Sequence, residues 1–154
     1  MSKSKKLQML PANASPASVG ERDIQRLWSS VCRKHWGSLV LVPASPGTSA
    51  KAIAQGMLSM GELFRPRPKV FDVEGVGIPD GPRLAAEMKE HAAQGGTALA
   101  AVDPVVSSLA GIPVVLAADA AVLVVRLGET DLGNARSTIE IVGRERILGC
   151  VAVG

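Results

Sequence analysis

The sequence predicts an α/β fold, a parallel sheet of about five strands with helices on both faces. Three observations lead to it. Five short apolar runs, at residues 39–42, 69–73, 97–102, 121–126 and 148–153, alternate with segments whose apolar residues recur at helical spacing. No hairpin dipeptide joins one run to the next, so each strand must return through a crossover and pair in parallel. The first run, Leu39, Val40, Leu41 and Val42, breaks at a Pro/Ser/Gly turn before Ala50, Ile53, Ala54, Met57 and Leu58 take up helical spacing, the pattern of strand, tight loop, helix.

With 154 residues, 47% of them apolar and 20% charged, the chain suits one globular domain with a sizeable core, assigned to 21–154. Residues 1–20 mix Lys, Ser, Ala and Pro without periodicity and read as a mobile basic tail carrying Lys3, Lys5 and Lys6. The net charge of +3 is otherwise scattered, and only 3% of residues are aromatic and able to stack on bases, which argues against nucleic acid as a partner. The most apolar region, 112–127, is interrupted by Pro113 and Asp119 and falls short of the roughly 20 residues a spanning helix needs, so no direct membrane span is expected. Cys32 and Cys150 lack metal-type partners nearby and follow no secretory signal; reduced cytoplasmic thiols packed in the core are expected.

In chain order, Ile24, Leu27, Trp28, Val31 and His35 share one helical face, which predicts an amphipathic helix from Glu21 to near Gly37. The first strand and its helix follow, the helix ending around Gly61, and a proline-spaced segment from Phe64 leads to a strand at 69–73. Residues 75–82 read as a Gly/Pro loop, and 83–93 as a helix with Leu84, Met88 and Ala92 inward, closed by Gly95 and Gly96. A strand at 97–102 stops at Asp103-Pro104, with short helical turns expected at 105–109 and 117–120 before the strand at 121–126. Leu132, Ala135, Ile139 and Val142 mark one face of a helix at 130–142, after which Arg144, Glu145 and Arg146 form a charged, solvated turn into the last strand.

The loop after the first strand has the setting of a phosphate-binding loop, in which backbone N–H groups and the positive end of a helix dipole face an anion. Against the pattern G-x-x-x-x-G-K-[ST], the stretch from Ala44 keeps Gly47 and Thr48 within the loop, but Ser49 stands at the last glycine, Ala50 at the lysine and Lys51 at the Ser/Thr. Other chemistry is thin: His35 and His91 lie on separate helices without ligand spacing, and no G-x-S-x-G elbow surrounds any serine.

From about Asp23 to Val153 the chain resembles the bacterial tyrosine kinases of capsule and exopolysaccharide synthesis, within the ParA/MinD group of deviant phosphate-loop ATPases. Residues 118–126, Ala-Asp-Ala-Ala-Val-Leu-Val-Val-Arg, look like a strand of that family; Gly128-Glu129-Thr130 matches its Gly-x-Thr, and Arg146-Ile147-Leu148-Gly149 resembles the lead into its last strand. Asp23 and Arg26 are similar to the first half of the acidic-x-x-Arg-x-x-Arg motif with which such kinases assemble, while Ser29 replaces the second arginine. The resemblance implies a phosphate-loop NTPase-like three-layer sandwich, and self-association through the helix carrying Asp23, Arg26 and Trp28.

Against the family's site, Ala50 can supply neither the lysine charge nor the hydroxyl that holds Mg²⁺. Lys51 leaves the helix on a different side, since a helix turns ~100° per residue. The second acidic motif corresponds to Asp72-Val73-Glu74 or to 73–76, and Asp103 fits the third acidic position or a turn after the strand. Val153 replaces the purine-reading asparagine, and a chain with no tyrosine cannot autophosphorylate on tyrosine. The resemblance with these losses implies a catalytically inactive, cytoplasmic regulator of polysaccharide assembly or export that needs no cofactor and docks on a membrane co-polymerase at the inner face of the cell membrane. Under the alternative, an atypical ATPase, Gly47, Thr48, Ser49, Lys51 and Asp103 would hold ATP and Mg²⁺. A ParA-like positioning factor is the third reading.

Overall fold

The structure, a computed structural model, describes residues 20–153. The tail expected at 1–20 therefore lies, Gly20 apart, outside the described residues. Helices α1 (Glu21–Val31), α2 (Lys51–Phe64), α3 (Gly81–Ala93), α4 (Ile112–Ala117) and α5 (Leu132–Val142) alternate with strands β1 (Ser38–Pro43), β2 (Pro68–Asp72), β3 (Thr97–Ala101), β4 (Ala120–Arg126) and β5 (Ile147–Val153). The sheet runs β2-β3-β1-β4-β5 and every neighbouring pair is parallel, as the strand–helix alternation predicts.

β1 is central because it is apolar on both faces. Leu39 and Leu41 enter one core layer with Trp28, Trp36, Ile53 and Met57, while Val40 and Val42 enter the other with Met88, Val114 and Val115. Full burial of each such side chain is worth about 1.5–3 kcal/mol, so β1 anchors both layers at once. Its start is pinned by a reciprocal pair. Asp119 Oδ2 accepts the N–H groups of Gly37 (2.8 Å) and Ser38 (3.1 Å), and Ser38 Oγ accepts the N–H of Asp119 (2.9 Å). These bonds fix the register of β4 against β1, which pairs Leu39 with Ala120.

Several elements differ from the sequence expectation, each for a local reason. α1 stops at Val31 rather than near Gly37, and His35 is exposed. In a continuing helix Trp36 would stand ~12 Å along the axis from Trp28. Instead the chain turns back so that the two rings meet edge to face at 6.2 Å, and the Trp36 indole N–H donates to Val31 O (2.9 Å). α3 and α4 begin earlier than expected, at Gly81 and Ile112, and α4 takes the place of the turn expected at 117–120. In both, a proline read from sequence as a break, Pro82 or Pro113, sits in the first helical turn, where no N–H is needed. α2 runs on to Phe64, past Gly61, whose lack of a side chain admits Pro68 and the Trp28 ring.

On α5 the inward residues are Thr138 and Val142, with Ala135 and Ile139 half-buried; Leu132, at the first helical position, is 82% exposed rather than inward. The turn at 144–146 is not wholly solvated either. The Arg146 guanidinium donates to the carbonyls of Val115 and Ala118 at the end of α4 and of Val142 at the end of α5, satisfying acceptors a helix terminus leaves open. Cys32 and Cys150 are free and exposed, not core residues, because one closes α1 on its solvent side and the other lies on the edge strand β5. Among the described residues no helix is long and apolar enough to cross a membrane.

Asp119→Ala removes the acceptor of two strand N–H groups, and we expect it to lower stability by about 1–3 kcal/mol, read as an earlier urea midpoint.

Candidate functional site

The β1–α2 loop lies at the C-terminal edge of the sheet, and its hydroxyls turn inward. Ser45 and Thr48 are buried and lie 3.2 Å apart, Oγ to Oγ1, with Ser45 Oγ also 3.4 Å from Thr130 Oγ1. Thr130 Oγ1 accepts the Arg126 N–H (2.8 Å), and the Arg126 guanidinium donates to Gly47 O (3.4 Å) while pairing with Glu129. Gly47 has φ +82°, a left-handed conformation that the tight turn requires and glycine adopts without strain. The loop is thereby braced against the segment that follows β4.

A side chain of the protein itself occupies the start of α2. Glu74 Oε2 accepts from Ser49 Oγ (2.8 Å) and from the Ala50 N–H (3.1 Å), Oε1 accepts from Ser49 Oγ at 3.1 Å, and Ser49 Oγ in turn accepts the Lys51 N–H (3.2 Å). Ala50 offers no capping side chain, so α2 takes its N-terminal acceptor from a residue 24 positions away. A carboxylate there is favoured by the helix dipole as a phosphate would be.

The turn that delivers Glu74 is built from the other acidic residues. Asp72 Oδ1 accepts the Glu74 N–H (3.1 Å), Asp103 Oδ2 accepts the Gly75 N–H (2.8 Å), and Gly75 supplies the positive φ of 78°. Lys51 is drawn sideways: its ammonium lies 3.0 Å from Asp72 Oδ2, with both side chains about half exposed. Hydrogen bonding and charge from Asp72 hold the Lys51 ammonium above the ordinary lysine range. The ammonium charge is therefore present through neutral pH and lost in strongly alkaline solution, as pH rises through the raised value.

All five residues expected around a phosphate site, Gly47, Thr48, Ser49, Lys51 and Asp103, fall on this edge, and each is engaged within the protein: Gly47 O with Arg126, Thr48 with Ser45, Ser49 with Glu74, Lys51 with Asp72, and Asp103 with the Gly75 N–H. Both registers of the second acidic motif have a use, since Asp72 pairs with Lys51 and Glu74 caps α2. From sequence Glu74 reads only as part of the second acidic motif, not as a cap for α2. The available signal was Ala50, a poor cap opening a 14-residue helix. The Lys51 ammonium is paired with Asp72 and feels the charge of Glu74, so an arriving phosphate would meet like charge. Among the described residues no three His, Cys, Asp or Glu side chains stand together as a metal site. Asp23 and Arg26 are exposed on α1, but Trp28 is 5% exposed and packs in the core, which corrects its expected place on an assembly surface.

Compared with known proteins, the chain matches no protein-family model and no curated sequence.

Glu74→Ala should cost about 1 kcal/mol by uncapping α2, whereas Lys51→Ala should leave the denaturation midpoint nearly unchanged because its ion pair is solvated; paired denaturant melts compare the two.

Proposed function

We propose that this chain is a catalytically inactive relative of the bacterial exopolysaccharide tyrosine kinases, which regulates polysaccharide assembly or export by docking on a membrane co-polymerase from the cytoplasmic side. The observation that carries the inactive half of this reading is the Glu74 carboxylate on Ser49 Oγ and the Ala50 N–H, where a phosphate-loop enzyme would hold its nucleotide. It is supported by Ala50 at the position of the phosphate-neutralising lysine, and by Lys51 being held on Asp72. The docking half rests on the resemblance of residues 118–130 and 146–149 to that family, joined to a five-strand parallel sheet with the loop at its C-terminal edge. Such a module would act through binding, with Asp23 and Arg26 on the outer face of α1 available to a partner.

A phosphate-loop site works by joint action of lysine, metal ligand and backbone amides, and losing several of them weakens binding by orders of magnitude. Calorimetry with ATP or ADP and Mg²⁺ should accordingly detect no binding tighter than about millimolar, a free energy of only ~4 kcal/mol. Micromolar, Mg²⁺-dependent binding abolished by Lys51→Ala would replace this reading with the atypical ATPase. Co-purification with the cytoplasmic part of a co-polymerase tests the docking half, and its absence would leave the chain without the proposed partner.

A further inference from the structure

The two edges of the sheet are built differently. β2, at one edge, reads Pro-Lys-Val-Phe-Asp, and carries the proline and charges with which edge strands resist pairing. β5, at the other, reads Ile-Leu-Gly-Cys-Val-Ala-Val, seven residues without a proline or a charge, and among the described residues it pairs with β4 alone, with an irregularity at Leu148. Its outer backbone groups lie along a groove of about 370 Å³ between Gly149–Ala152 and α1. Asp23 and Arg26 flank the groove, and neither makes an ion pair among the described residues. Leu127, 68% exposed, stands in the same groove.

We propose that the outer edge of β5 pairs antiparallel with β5 of a second copy of this chain, about a two-fold axis at Cys150, to make one continuous sheet. Beyond the irregularity at Leu148, β5 presents an apolar edge without proline or charge, which is a template for strand addition, and a two-fold contact needs a surface that complements itself. This edge does. α1 packs beside β5, with Leu27 against Gly149, so the axis brings the two α1 helices together on one face of the sheet. There Asp23 and Arg26 of each copy meet Arg26 and Asp23 of the other, and Leu127 is covered. The axis is placed at Cys150, the middle residue of Ile147–Val153, with Gly149 to Val153, which pair regularly with β4 after an irregularity at Leu148, carrying the contact. The exposed thiol of Cys150 then faces its own copy. Directly opposed residues in antiparallel strands have Cα atoms about 4.5–5.5 Å apart, inside the range a disulfide bridges. The inference rests on the strand and its neighbours, independently of the functional reading, so nucleotide binding in the calorimetric test would not disturb it.

The test is light scattering of the full chain over a concentration series, together with diamide oxidation and a non-reducing gel. We expect the mass of a dimer, a disulfide-linked dimer in the starting protein and in Cys32→Ser, and none in Cys150→Ser. Ala152→Lys, which places a charge on an exposed edge position, should return the monomer mass with the thermal melt of the folded monomer retained. A monomer at hundreds of micromolar would overturn the proposal, as would a dimer indifferent to Ala152→Lys or one cross-linked through Cys32 alone.

Discussion

Everything in this protein hangs on the burial of β1 on both faces. A parallel strand in the middle of a sheet can be covered above and below only if helices cross over both surfaces, and the apolar continuity of residues 39–42 demands that cover. α1 and α2 fill one side through Trp28, Ile53 and Met57, and α3 and α4 fill the other through Met88 and Val114. The Asp119–Ser38 reciprocal bonds set where β1 begins, and hence how far its loop projects beyond the sheet. The loop's place at the sheet edge thus follows from how β1 is buried and pinned, and its own Ser45, Gly47 and Thr48 brace it there.

That dependence explains how a strand–loop–helix of this shape can stand without a charge set for phosphate. A helix N-terminus at the end of a buried strand has unpaired N–H groups whatever its sequence, and they must find acceptors. Here the acceptor is intramolecular. Glu74 supplies a carboxylate, Asp72 and Asp103 hold the turn that presents it, and Lys51 settles on Asp72. The same residue types that would coordinate a metal and a phosphate in an enzyme become a closed set of stabilising contacts.

The sheet edges express a related economy of partners. β2 is blunted by Pro68, Lys69 and Asp72, whereas β5 has an uncharged outer edge, unpaired among the described residues, beside an acidic and a basic side chain of α1. α5, for its part, leaves Leu132 outside the core and is tied down through Arg146 at its end. An apolar strand next to an open groove is a surface whose chemistry favours another strand.

Local pattern alone determined the number of strands, their parallel pairing and the strand–loop–helix around Gly47, because side-chain periodicity and turn residues act over a few positions. The same pattern misjudged Pro82 and Pro113 as breaks, since a proline's meaning depends on whether it falls before or inside a first helical turn. Tertiary structure decided the rest. The end of α1 follows from the packing of Trp36 on Trp28, the burial of Trp28 from the core it shares with α2, and the exposure of Cys150 from β5 being an edge. Glu74 is the clearest case. Its role requires the carboxylate to meet an N–H 24 residues away, a contact that exists only once α2 has docked on the sheet and the turn at Gly75 has closed, and no spacing in the sequence encodes such a meeting.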